Sequence, residues 1–265
     1  MRINLYLTFL TSVTGGEWIA VRDFTLKGVV FISCTRAVYS RALAKRAATL
    51  GCNVYCCASD MDLAEDLIDA GVTPIQLDVA SENSVADATK AILKSAGRID
   101  HMFYTSHHTS FGGLEHHDAT DAHYQFHVNL FGAVRLLRSF GPFLRSQRSG
   151  TYTICSSGPL AHCQANAGWH NACEAAIASI AETAKSEFST FNVAMNHYII
   201  GLEKLPKDGR VDGVAAMTGR QFVETAIDMI KHPPLGRNRA LSMPKTSVFQ
   251  ARWQTAGAIM ERLKS

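Results

Sequence analysis

Short apolar runs alternate with amphipathic helical segments along the whole of this chain, and no other feature restricts its fold as strongly. Gly28–Ser33 (GVVFIS), Asn53–Ala58 (NVYCCA), Pro74–Asp78 (PIQLD), Ile99–Thr105 (IDHMFYT), Thr151–Ser156 (TYTICS), Asn192–Ile199 (NVAMNHYI) and Ala240–Met243 (ALSM) read as strands. Between the early strands, Leu43, Ala47 and Leu50, or Val85, Ala88, Ile92 and Leu93, recur at helical spacing. Such alternation means a parallel sheet with helices on both faces, since parallel neighbours need a crossover between them. The expected fold class is α/β, with a doubly wound parallel sheet of about seven strands. Sheets of this kind take ligands beyond the carboxyl ends of their strands, so the residues following each strand are the candidate site.

Composition narrows the partners. The chain has 265 residues, 47% hydrophobic and 18% charged, which fits a folded globular enzyme and not a disordered segment. Its net charge of +3, with no Lys/Arg block, gives no reason to expect nucleic acid or a membrane surface as partner. The first ten residues, MRINLYLTFL, carry too short an apolar run for a membrane span. Residues 1–24 read as a flexible leader, and 25–265 as a single domain. The seven cysteines are odd in number and lack zinc-ligand spacing. Cys56 and Cys57 should alternate across a strand as small buried hydrophobes. Together these point to a reducing, cytoplasmic setting.

Four motifs then fall in order. Leu77-Asp78-Val79 follows the third strand, and Gly97-Arg98-Ile99-Asp100 enters the fourth. Val128-Asn129-Leu130-Phe131-Gly132 lies in the next helix, and Ser156-Ser157 ends the fifth strand. Over residues 26–205 the chain resembles the short-chain dehydrogenase/reductase family. The resemblance implies a Rossmann-like sheet and a nicotinamide coenzyme. By it, Asp78, with Val79 beside it, meets the adenine amino group, Asn129 shapes the active site, and Ser157 holds the substrate oxygen. It also implies a small-molecule substrate and a homodimer or homotetramer paired through the helices beginning near Ala119 and Trp169. The second helix carries an apolar stripe of Cys173, Ile177, Ile180, Ala184 and Phe188, with Ala176 and Ala181 beside it.

The departures from that family are equally informative. Its phosphate loop, T-G-x-x-x-G-x-G, here reads Ser33-Cys34-Thr35-Arg36-Ala37-Val38-Tyr39-Ser40, without a glycine. Glycines there permit a tight turn and close approach of backbone N–H groups to pyrophosphate. Arg36 is either the compensating phosphate ligand or a solvated loop charge. Ser33 and Tyr39 of this loop, and Thr105 after the fourth strand, are further candidate coenzyme contacts. There Tyr104-Thr105-Ser106-His107 replaces N-N-A-G. Ser59 stands where NAD-specific enzymes favour an acid, so NADP(H) is the expected coenzyme.

The family's Y-x-x-x-K would begin thirteen residues after Ser157, which places His170 at the Tyr position and Glu174 at the Lys position. Two readings of this pair stand open. Glu174 would stabilise a protonated His170 one turn away, making a replacement acid, or the pair is an exposed helical pair of no consequence. An iminium carbon needs no such acid, because its own charge activates it towards hydride. Trp169 would then wall the flat cation, with Asn166 as a polar group and Ser157 across the pocket.

The Asn166…Trp169 pair, with Tyr and Lys missing, resembles the fungal bifunctional reductase/Diels–Alderases of indole-alkaloid biosynthesis. In that group an acidic residue stands where Asn166 does here. His116, His117, His123 and His127 have metal-compatible spacing but no completing ligand, so no metal is expected. His107 and His108 either line the pocket or are solvated. A cofactor-free cyclase or isomerase, and a non-catalytic scaffold, are the competing function classes.

Overall fold

The computed structural model describes residues 28–34, 36–58, 64–158, 165–200, 210–211 and 214–233. The expected leader, Ser59 and the Ala240–Met243 strand lie outside these residues, so the seventh strand is not among the elements described here.

The main sheet has six parallel strands: β1 (Val29–Ile32), β2 (Asn53–Ala58), β3 (Val72–Gln76), β4 (His101–Tyr104), β5 (Thr151–Ser156) and β6 (Ala194–Ile199). Their order is β3-β2-β1-β4-β5-β6, so the winding reverses between β1 and β4. The crossovers carry α1 (Val38–Thr49), α2 (Glu65–Ile68), α3 (Glu82–Ala96), α4 (Ala119–Phe126), α5 (Ala133–Gln147) and α6 (Gly168–Ser189). A two-residue pair, β7 (Arg210–Val211) and β8 (Val214–Ala215), precedes α7 (Gly219–Lys231). Strand period two sorts the side chains: Val30 and Ile32 of β1 pack with Leu43 of α1 and Phe222 of α7, whereas Phe31 packs with Ile92 of α3 and Phe140 of α5. Cys56 and Cys57 alternate in the same way, one into each apolar layer.

Two caps show why the helices begin where they do. Ser81 accepts the Ser84 N–H at the start of α3, and Thr218 opens α7 with a reciprocal bond to Gln221. Between α4 and α5 the chain makes a π-helical turn, His127–Gly132. A π turn leaves carbonyls off the regular ladder, and the two tyrosines of adjacent strands supply donors. Tyr104 donates to Val128 O, and Tyr152 donates to Ala133 O at 2.7 Å. A Cβ at position 132 would collide with the Tyr104 hydroxyl, which accounts for Gly132.

Two strand histidines are held neutral by burial: His101, bonded to Thr151 Oγ1 at 3.0 Å, and His197, bonded to Ser156 Oγ at 2.8 Å. Burial lowers each from 6.5 to about 4. An unfolded histidine takes up its proton near 6.5, so stability is lost as pH falls from there towards 4. Urea midpoints between pH 7.5 and 4.5 should decline with uptake of about two protons on unfolding from this pair. His101→Asn should flatten part of that slope.

Candidate active site

The reversal between β1 and β4 opens a crevice at the carboxyl edge of the sheet, and Ser33 forms its floor. Its Oγ accepts the N–H groups of Thr105 at 2.9 Å and Ser106 at 3.0 Å, and Ser106 Oγ donates back to Ser33 O at 2.8 Å. Beside it, α1 starts at Ala37 without a side-chain cap and without an acid in its first turn, leaving leading N–H groups open. Arg36 is exposed at this end, and Val38 is 68% exposed in the first turn. Tyr39 turns inward against Phe222, ring centroids 5.4 Å apart. The Ser40 and Thr105 hydroxyls are buried without a hydrogen-bond partner. Asp78 is exposed, one carboxylate oxygen accepting the Ala80 N–H, while Val79 is buried in the core beneath it.

Across the crevice, the β4–α4 loop is fixed by Asn129, which sits in the π turn. Its side chain accepts the His108 N–H at 2.8 Å and donates to His108 O at 2.7 Å. Asn129 thus holds the loop that follows β4. His107 then lies beside Ser157, Nε2 to Oγ 3.4 Å, and bonds Thr109 Oγ1 at 2.7 Å. Burial lowers His107 to about 4, which keeps its imidazole neutral near pH 7. His108 packs its ring edge on Tyr124.

The α6 pair corrects one of the two sequence readings. Far from being an exposed helical pair, His170 and Glu174 are 0% and 1% exposed. They hold Gly158 through the two peptides that flank it. Glu174 Oε2 accepts the Gly158 N–H at 2.8 Å, and His170 Nε2 lies 3.1 Å from Gly158 O. The second reading, a replacement acid, is also weakened by geometry. The Ser110 N–H reaches Gln125 Oε1, which turns the Gln125 amide nitrogen to His170 Nδ1 at 3.2 Å. A donor at Nδ1 and an acceptor at Nε2 select the Nε2–H tautomer, whose proton is spent on a backbone carbonyl. Glu174 also accepts from Ser157 Oγ at 3.4 Å, and burial lifts its carboxyl above the usual range.

Trp169 points elsewhere on α6. It is 39% exposed and meets Phe126 of α4 edge-on at 6.4 Å. Asn166 is exposed with φ +67°, and its carbonyl accepts the Gly112 N–H at 2.8 Å, tying the start of α6 to the β4–α4 loop. The structure therefore groups Ser157, His170 and Asn129 with His107 around the end of β5, while Trp169 and Asn166 flank it. Gln125 and Gly158 were missed. Gln125 carries no sequence signal, whereas a glycine straight after a strand could have flagged Gly158. Among the described residues no three His, Cys, Asp or Glu side chains converge as a ligand set, and no helix is long and apolar enough to cross a membrane.

Comparison with known proteins adds three facts. Residues 29–204 match the family model for short chain dehydrogenase. Oxidoreductase BOA17 of Botryotinia fuckeliana (strain B05.10) is 34% identical over 79 residues, covering 30% of this chain and 29% of that protein. The match thus spans less than a third of that relative's length. Among solved structures, a metagenomic short-chain oxidoreductase in complex with NADP superposes with TM-score 0.66 at 18% identity, covering 78% of this chain and 92% of that one. A short-chain dehydrogenase from Streptomyces avermitilis gives 0.67 at 21% identity, covering 90% and 98%. At such identities the likeness is one of fold.

Gly158 has φ +74°, and a Cβ there would lie 2.7 Å from Ile199 Cγ2. Gly158→Ala should therefore cost about 1–3 kcal/mol of stability, read from urea unfolding.

Proposed function

Because this chain belongs to the short chain dehydrogenase family, we infer that it is an NADP(H)-dependent reductase whose electrophile arrives already activated by positive charge, as an iminium carbon does. The observation that carries this reading is the fate of the Tyr and Lys positions. His170 and Glu174 are spent on the backbone N–H and C=O of Gly158, and neither offers a proton to a ketone oxygen. An iminium carbon needs none.

The crevice fits a nicotinamide coenzyme. The unpartnered Thr105 hydroxyl at its floor, the uncapped start of α1, exposed Arg36 and exposed Asp78 supply polar groups along its length. When bound, the dihydronicotinamide supplies hydride. The chain's own residues do the rest: Asn129 fixes the β4–α4 loop, Ser157 turns its hydroxyl to the substrate, and the open ring face of Trp169 stacks a flat cation, with Asn166 orienting it. Arg36 and Ser59 support NADPH over NADH. The resemblance to the fungal reductase/Diels–Alderases extends the reading to alkaloid-type secondary metabolism, in which the reduced product cyclises in the pocket. Exposed Tyr124 and Ile180 on α4 and α6 support assembly as a homodimer or homotetramer.

A cofactor-free cyclase is the second reading, favoured by Cys34, Val38 and Ser40 where the phosphate loop wants glycine. NADPH titration decides between them. Measurable NADPH binding, tighter than NADH, supports the reductase, whereas no binding of either coenzyme gives the cyclase.

Turnover is tested on a matched pair, N-methyl-3,4-dihydroisoquinolinium and α-tetralone, by loss of NADPH absorbance. The iminium should be reduced and the ketone left intact. Trp169→Ala should lower kcat/KM for the iminium about ten- to a hundredfold, the value of roughly 1–3 kcal/mol of stacking and packing. Ketone reduction at a comparable rate would sink the proposal.

A further inference from the structure

Glu174 is a buried carboxyl with no Lys or Arg among the described residues to answer it. Its partners are the Gly158 N–H and the Ser157 and Ser156 hydroxyls, and the basic group that acts on it is His170, whose ring nitrogens face the Gln125 amide and Gly158 O. Breaking or omitting one half of a buried ion pair is costly, because the remaining charge is neither hydrated nor neutralised. Such a carboxyl has two ways to avoid that cost: it keeps its proton, or a cation comes to it. Among the described residues Ser157 links Glu174 to the β4–α4 loop: its Oγ lies between Glu174 Oε1 and His107 Nε2, 3.4 Å from each.

We propose that Glu174 sets the charge the pocket accepts: acting through the Ser157 hydroxyl, it admits a flat organic cation in exchange for its own proton. The proposal rests on the reductase reading above and names its substrate class. With Glu174 ionised, Ser157 donates its hydroxyl hydrogen to the carboxylate and turns its lone pairs to the cation. The exchange balances, one proton leaving the carboxyl for solvent as one positive charge enters. Glu174 is thus a positioning residue that never touches the substrate.

The titratable neighbours leave this exchange readable. His107 from the β4–α4 loop and His197 on β6, which bonds Ser156, change charge only near 4. Cys173 on α6 is pushed up to about 12, and His170 has both ring nitrogens in hydrogen bonds.

The probe is N-methylpyridinium, a permanent cation, against its neutral isostere toluene. Binding to the full chain is followed by calorimetry from pH 5 to 8, in paired buffers of different ionisation enthalpy. Cation affinity should fall about tenfold per pH unit on the acid side, with one proton released per cation bound, while toluene affinity stays flat. Glu174→Gln keeps the Gly158 hydrogen bond but has no proton to exchange. It should bind the cation about ten- to a hundredfold more weakly at pH 8, with no pH slope and no proton release. Ser157→Ala, which leaves the Gly158 grip intact, should flatten the slope too, and it guards against a Glu174→Gln variant that does not fold.

A pH-independent wild-type affinity, or a slope that survives in both variants, overturns the proposal. The reductase reading fails separately: cation uptake with proton release, but no hydride transfer to any iminium, leaves Glu174 as proposed and removes the reaction.

Discussion

One residue, Gly158, holds the end of β5 to the start of α6, and much of the candidate site depends on how it is held. Its N–H and C=O belong to successive peptides, and an acceptor and a donor side chain one helical turn apart take both. His170 and Glu174 do so, drawing α6 down onto the strand end and burying themselves in the process. Gln125 then reaches from α4 to His170, and the Ser110 N–H fixes Gln125, so that the β4–α4 loop, α4 and α6 are cross-linked through one imidazole. Both ring nitrogens of His170 and both oxygens of Glu174 have hydrogen-bond partners, which favours a unique arrangement of the elements they join.

The architecture was legible because strand and helix periods are written in the sequence. Asn53–Ala58 and Thr151–Ser156 coincide with their strands, while Pro74–Asp78 begins two residues late and runs past the observed end, since Val72 pairs with Val54 and Pro74 needs no N–H at its place on an edge strand. The site was legible in part. Asn129 and Ser157 lie around the strand ends as their motifs imply, and His107 lies between Ser157 and Thr109. The burial of His170 and Glu174 could not be read, because their surroundings come from β5 and α4, distant in sequence. A pair at helical spacing looks the same whether its helix face meets water or a strand end.

Ser33 makes a related point. Its residue type suits a ligand-facing loop, yet its hydroxyl is consumed by the backbone of Thr105 and Ser106. This bond ties the two strands that part at the switch point. A chain without phosphate-loop glycines has retained a well-ordered floor to the crevice, and its open donors have moved to the rim, at Arg36 and the first turn of α1.

The π turn at His127–Gly132 has a geometric effect of its own. One residue more per turn advances the helix by about 100° relative to a continuous α-helix, so the faces of α4 and α5 are out of phase. Phe126 faces Trp169, whereas Leu136 and Phe140, beyond the turn, face the sheet. Removing a single residue there would restore the regular ladder and rotate everything on one side of it. Asn129 would lose its alignment with His108, and the carbonyls that Tyr104 and Tyr152 serve would find partners within the helix. Length within this six-residue stretch is therefore constrained as well as identity at Asn129 and Gly132.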